Sequence, residues 1–133
     1  MRLRRYDVLM RPFLLALIAA ITLFAAGLAG TYKGTWSGSG SGDFTITLTQ
    51  AGDDWKADIT FTLGGETVKT KVTSLKVEGS KLKCAYQFDL QGTVLESTIT
   101  GELNGTTLAG DYHTKAVADG SAVDEGTWKA TGQ

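Results

Sequence analysis

The sequence predicts an all-β fold: an eight-stranded antiparallel up-and-down β-barrel over residues 30–133, following an N-terminal signal helix within residues 1–29. Three observations predict it. Beyond residue 30, apolar and polar residues alternate with period two, as in Phe44-Thr45-Ile46-Thr47-Leu48-Thr49, and helical period is absent. Glycine-bearing turn signals punctuate this alternation roughly every ten residues. The single proline, Pro12, lies in the leader, so no strand is broken by one. A β-sandwich is the alternative, because sequential hairpins serve both architectures.

The first 29 residues suit a different solvent from the rest. Arg2, Arg4, Arg5 and Arg11 precede an uncharged apolar run from Phe13 to Ala29 that ends in small residues. This is the order of an export signal, in which cations stay on the cytoplasmic side while the apolar segment enters the membrane. Gly27 and Ala29 suit cleavage after Ala29, making residues 1–29 a signal peptide and the product exported, either secreted or periplasmic. The alternative is an N-terminal membrane anchor, since a spanning helix needs roughly 17–25 residues and the run just reaches that length. Met10, immediately before Arg11, offers a second start that keeps a basic residue, the apolar core and the cleavage site.

Removing the leader leaves enough chain for one domain and no second. All four arginines depart with it, so residues 30–133 carry nine lysines against thirteen acidic residues, a formal charge of −4. An acidic surface without arginine argues against nucleic acid, which requires clustered cations, and against anionic lipid. Membrane contact is then expected only through an uncleaved leader. Cys84 is the single cysteine, so no intrachain disulfide forms. Its place in the alternation Leu82, Cys84, Tyr86, Phe88 predicts burial.

The strands follow in order at about 31–38, 42–50, 54–63, 66–78, 81–90, 93–103, 106–115 and 123–131. A Gly/Ser loop from Gly38 to Gly42 joins Trp36 to Phe44. A turn at Ala51-Gly52 sets Leu48 opposite Trp55. Gly64-Gly65 sets Phe61 opposite Val68, Ile59 opposite Thr70 and Ala57 opposite Val72, after which the apolar parity slips to Leu75 and Val77. A β-bulge near Thr73-Ser74 is the expected cause. Gly79-Ser80 pairs Val77 with Leu82 and Leu75 with Cys84. Gln91-Gly92 pairs Phe88 with Leu95, Tyr86 with Ser97 and Cys84 with Ile99. Asn104-Gly105, the strongest turn signal, pairs Leu103 with Thr106 and Ile99 with Gly110. In every hairpin the apolar faces coincide, and closing the sheet leaves no open edge.

The first strand reads Tyr32-Lys33-Gly34-Thr35-Trp36. This resembles the Tyr-x-Gly-x-Trp opening of lipocalins and the wider calycin group. Asp111-Tyr112 is similar to their second motif, Thr-Asp-Tyr, with Gly110 at the Thr position. The resemblance implies a small barrel enclosing an apolar ligand, with Trp36 packed across one end and Gly34 allowing close approach there. The avidins share the Gly-x-Trp opening, but Ser37 stands where they carry Asn, so biotin is not implied.

No catalytic or metal-binding set emerges from the residues. His113 is the only histidine and neighbours inward Tyr112, so it is expected on the outer face; a hydrolytic triad or a zinc site has no second member. Asp53-Asp54 and Asp124-Glu125 lack calcium-loop spacing and read as solvated acidic turns. The expectation is a non-enzyme with no cofactor. One internal feature stands out: the registers place Tyr86, Ser97 and Tyr112 in a row across three strands, with Thr73 able to extend it. Trp36, Trp55, Phe61, Phe88 and Trp128 supply apolar wall. Such a lining suits a small apolar ligand with one polar end, and Tyr86, Ser97, Tyr112, Trp36 and Phe88 are the candidate contacts. The competing expectation is a core filled by its own side chains, which an eight-stranded barrel is narrow enough to allow. A partner on the loops, such as another exported protein, and a structural envelope role are the other functions this composition permits. The longer connections, Gly38 to Gly42 and Lys115 to Glu125, mark the expected mouth.

Overall fold

Period-two patterning is carried through nearly every residue of the computed structural model, which describes residues 26–133. The signal peptide and membrane-anchor expectations rest mainly on residues 1–25, outside the described residues. After one 3-10 turn at Ala26–Leu28 come β1 (Gly30–Ser37), β2 (Ser41–Ala51), β3 (Asp54–Leu63), β4 (Glu66–Lys69) and β5 (Lys71–Glu78). They are followed by β6 (Lys81–Leu90), β7 (Thr93–Asn104), β8 (Thr107–Ala116) and β9 (Ala122–Gly132). All pair antiparallel in one curled, half-barrel sheet of order β4-β3-β2-β1-β9-β8-β7-β6-β5, whose edge strands β4 and β5 form no ladder with each other, so the expected closure without an open edge is not reached.

The strand count is therefore nine, not the expected eight, because segment 66–78 is divided at Thr70. Its first part must follow β3 and its second part β6, and the two directions diverge. The β3–β4 ladder ends at Thr60 opposite Lys69, so Ala57 and Val72 do not pair. Where the ladder stops, the Thr70 hydroxyl donates to the Ile59 carbonyl at 2.7 Å. The anticipated bulge is present, as a register shift between Val72 and Ser74 in the β5–β6 pair.

Two hairpins reverse one residue later than expected, over Gly52-Asp53 and Gly105-Thr106. Leu48 consequently faces Ala57, and Leu103 faces Leu108. Each displacement moves the register by two residues and so leaves every side chain on its anticipated face. The cause is local. Gly52 and Gly105 adopt φ of +64° while the residue after each does not turn positive. A single positive φ at the first loop position is the type II′ hairpin, which takes Gly first. The registers at Gly79-Ser80 and Gln91-Gly92 are those expected.

Gln91 has φ of 52°, the only positive value outside glycine among the described residues. Holding an ordinary L side chain there costs about 1–2 kcal/mol, a cost Asn largely avoids. Gln91→Asn is therefore expected to stabilise the fold by about 0.5–1 kcal/mol, read as a higher thermal midpoint; an unchanged or lower midpoint would contradict it.

The alternation directs one face of every strand inward, where Phe44, Ile46, Ile59, Cys84, Ile99 and Leu108 are almost wholly enclosed. At the end where the chain enters and leaves the sheet, Leu28 is also buried, and its carbonyl accepts the Tyr32 hydroxyl at 2.9 Å. Packing thus begins on the leader side of the expected cleavage point. The opposite end carries the β1–β2, β3–β4, β6–β7 and β8–β9 connections.

Candidate functional site

The inward face is not filled throughout. Toward the end bearing the β1–β2 and β8–β9 connections lies a cavity of about 320 Å³, bordered by Ser39, Gly40 and Val123 at its rim. The expected mouth and the cavity coincide. The other end is occupied by buried Leu28, Leu48, Leu82, Leu108 and Ala130.

All five candidate contacts, Tyr86, Ser97, Tyr112, Trp36 and Phe88, line this one cavity. Their order differs from the expected row. Tyr86 does face Ser97 across β6–β7, but across β7–β8 Ser97 faces Thr114, and Tyr112 faces Ile99. The late turn at Gly105-Thr106 is responsible. Thr114 in turn faces Asp124 across β8–β9. The polar row therefore runs Tyr86, Ser97, Thr114, Asp124 over four neighbouring strands, one more than anticipated. Phe88 and Leu95, paired one step nearer the mouth, form an apolar layer above it. Thr73 does not extend the row, because the bulge leaves it exposed with its hydroxyl on the Ala85 carbonyl.

Each polar member has an internal partner. Ser97 and Thr114 hydroxyls share a buried hydrogen bond. Burial pushes the Tyr86 phenol up to about 12, a hydrogen bond with Ser97 lowering it somewhat and nearby Cys84 raising it. Tyr112 is displaced from the row but rejoins it at its tip, its hydroxyl donating to Asp124 Oδ2 at 2.7 Å. The Ser39 backbone N–H donates to Asp124 Oδ1 at 3.1 Å, fastening the β1–β2 turn to β9. Partial burial alone would raise the Asp124 carboxyl, but these hydrogen bonds outweigh it and hold the group below its ordinary value. The same bond to Asp124 adds to burial in raising the Tyr112 phenol.

The apolar wall comes from the inward face of strands spread across the sheet. Trp36 meets Phe61 and Tyr112 edge-on at 6.2 and 6.1 Å, and Phe61 meets Phe88 at 4.9 Å. The indole N–H of Trp36 donates to the Thr62 carbonyl, and that of Trp128 to the Thr100 carbonyl, each at 3.0 Å. Both rings thus turn only hydrocarbon surface to the cavity. Trp55, expected in this wall, is absent from it. It opens β3, and that strand starts at the closed end.

Sequence reasoning missed Thr114 and Asp124 as members of the site. Both hold inward parity on their strands, a usable signal that the acidic appearance of Asp124-Glu125 obscured. Glu125, its outward neighbour, instead pairs with His113 at 3.3 Å, where both side chains are about three-quarters exposed. The expected outward placement of His113 is what is found. Cys84 is fully buried, as expected, and burial pushes its thiol up to about 12. Comparison with protein-family models, with curated proteins and with solved structures finds no match to this chain.

Proposed function

We propose that this chain is an exported binding protein that holds a small apolar ligand within a lipocalin-like barrel. The observation that carries the reading is the 320 Å³ cavity, aromatic-walled and open at one end, with a short row of hydroxyls and one carboxylate. That volume lies at the lower end of ligand pockets, about 300–1,000 Å³, and is far above a packing defect. The edge strands β4 and β5 do not pair with each other, but they are consecutive in the chain, and Thr70 between them bonds back to Ile59 of β3, so the curled sheet brings its two edges together at one corner beside the guest. The leader composition supports export.

Binding is favoured over catalysis by where the reactive groups stand. Cys84 is a protonated thiol at neutral pH, without nucleophilic character, and His113 lies on the outer face away from the cavity. Neither serves the polar row.

A second reading, a protein partner seated on the mouth, has one observation in its favour. The exposed large apolar residues among those described are Val94, Val117 and Val123, all beside that end. Native mass spectrometry of the chain purified gently from its own host separates the two. A retained small molecule is the expected result, and a co-purifying polypeptide would favour the second reading. A bare chain whose tryptophan fluorescence responds to no small apolar probe would reject the pocket.

A further inference from the structure

The cavity's polar lining is unbalanced in sign. Among the described residues no Lys, Arg or His borders it, whereas Asp124 does, half-buried and charged at neutral pH. A guest bearing a carboxylate or phosphate would lose its hydration there without gaining a cation, and would face a like charge. A guest bearing an ammonium would meet the reverse situation: a carboxylate with acceptor capacity beyond the Tyr112 and Ser39 hydrogen bonds, beside the edges and faces of aromatic rings.

The charge around the rim points the same way and is independent of the lining. Apart from Asp124 itself, within three residues of the four connections at the mouth stand Asp43, Glu66, Asp89 and Asp119, against Lys115 alone. Lys115 is itself engaged with Glu96 at 3.8 Å. The three hairpins of the closed end are balanced over the same span, with Lys56, Lys76, Lys81 and Lys83 against Asp53, Asp54, Glu78 and Glu102. An acidic mouth raises the local concentration of cations and slows the approach of anions. The overall acidity of the chain beyond the leader is thus concentrated where a ligand would enter.

Resting on the pocket reading above, we infer that the guest is an apolar primary amine, its ammonium on the Asp124 carboxylate and its hydrocarbon body among Trp36, Phe61, Phe88 and Trp128. The cavity holds about ten water volumes at roughly 30 Å³ each, which sets the size of the guest to a short-chain or single-ring amine and excludes a long-chain lipid. The Ser97–Thr114 pair contributes neutral acceptor oxygens at the same level. No covalent step is involved.

Three isosteric probes test the inference on the full chain: octylammonium, octanol and octanoate, each titrated while following tryptophan fluorescence, since two of the three tryptophans line the cavity. Octylammonium is expected to bind about tenfold or more tighter than octanol, and octanoate weakest. Asp124→Asn, with its fold checked by thermal melting, is expected to bring octylammonium down to the octanol level. Glu102→Gln, which removes one exposed charge at the closed end, away from both cavity and mouth, is expected to leave the preference within about twofold. Octanol and octanoate binding as tightly as octylammonium, or an Asp124→Asn protein that keeps the preference, would overturn the amine assignment and leave the pocket standing. Binding of none of the three would overturn both.

Discussion

Trp128→Ala is expected to destabilise the fold by about 3–5 kcal/mol, the largest loss from any single truncation in this chain. The residue is only 2% exposed, and its ring packs on Phe44 with centroids 5.0 Å apart. It lies directly over Gly101, where an added Cβ would come within 2.6 Å of the indole. A glycine is thus present to admit the ring. Truncation would leave a void that the rigid sheet on either side cannot close, continuous with the existing cavity. It would also remove the partly buried hydrogen bond from the indole N–H to the Thr100 carbonyl, worth about 0.5–1.5 kcal/mol. Against a typical stability of about 5–15 kcal/mol, the variant should be marginal at room temperature. Urea denaturation checks this. The same truncation at half-buried Trp55, at the closed end, should cost clearly less, and equal losses at the two sites would show that Trp128 holds no special place.

Side-chain faces were legible in the sequence, while registers were legible only in part. Parity is a property of each strand, so Phe44, Ile46 and Leu48 declare an inner face without knowledge of any partner. Register depends on which two residues form the turn. At Gln91-Gly92 and Gly64-Gly65 the sequence allows one sensible choice. At Asn104-Gly105-Thr106 it allows two, because Asn-Gly suits one hairpin type and Gly-Thr another. The chain takes the second, and nothing in the flanking apolar pattern discriminates, since a shift of two preserves every face. The division at Thr70 was half visible. The slip in parity between Val72 and Leu75 announced a bulge, but the corner before it is created by the need to reach two different neighbours, a tertiary demand.

The same distinction explains what was seen of the candidate site. Tyr86, Ser97, Tyr112, Trp36 and Phe88 were identifiable because each needed only parity and a rough height. Asp124 needed more. Its side chain is drawn inward by a backbone N–H from the β1–β2 turn and a phenol from β8, both remote in sequence. Read alone, Asp124-Glu125 is an acidic surface pair, and for Glu125 that reading holds. Inward-facing carboxylates held by partners remote in sequence are therefore the members of a site that local pattern is least able to find, and they carry the most information about its ligand.

Raising the pH from 9 to 12 is expected to unfold the domain cooperatively, with the main loss above pH 10. Tyr32, Tyr86, Tyr112 and Cys84 are acids whose neutral forms are protected by burial, so each holds its proton more tightly folded than unfolded. Between the unfolded and folded values the unfolded chain has released protons that the folded chain retains, and stability falls as pH rises. Each pH unit in that window costs about 1.4 kcal/mol per group. Cys84 titrates near 9 when exposed and about 12 when folded, and Tyr86 near 10 and about 12. These two alone withdraw several kcal/mol by pH 12, on the order of half or more of a typical domain's stability, and the two other tyrosines act in the same direction. Phenolate absorbance and far-ultraviolet circular dichroism, followed together through an alkaline titration, should change in one transition. Tyr86→Phe removes one titrating group while keeping its ring among Phe61 and Phe88, and should move that transition to higher pH. Should the phenols ionise fully before the β signal is lost, or should Tyr86→Phe leave the midpoint where it was, burial of these groups would not be what limits the fold at high pH.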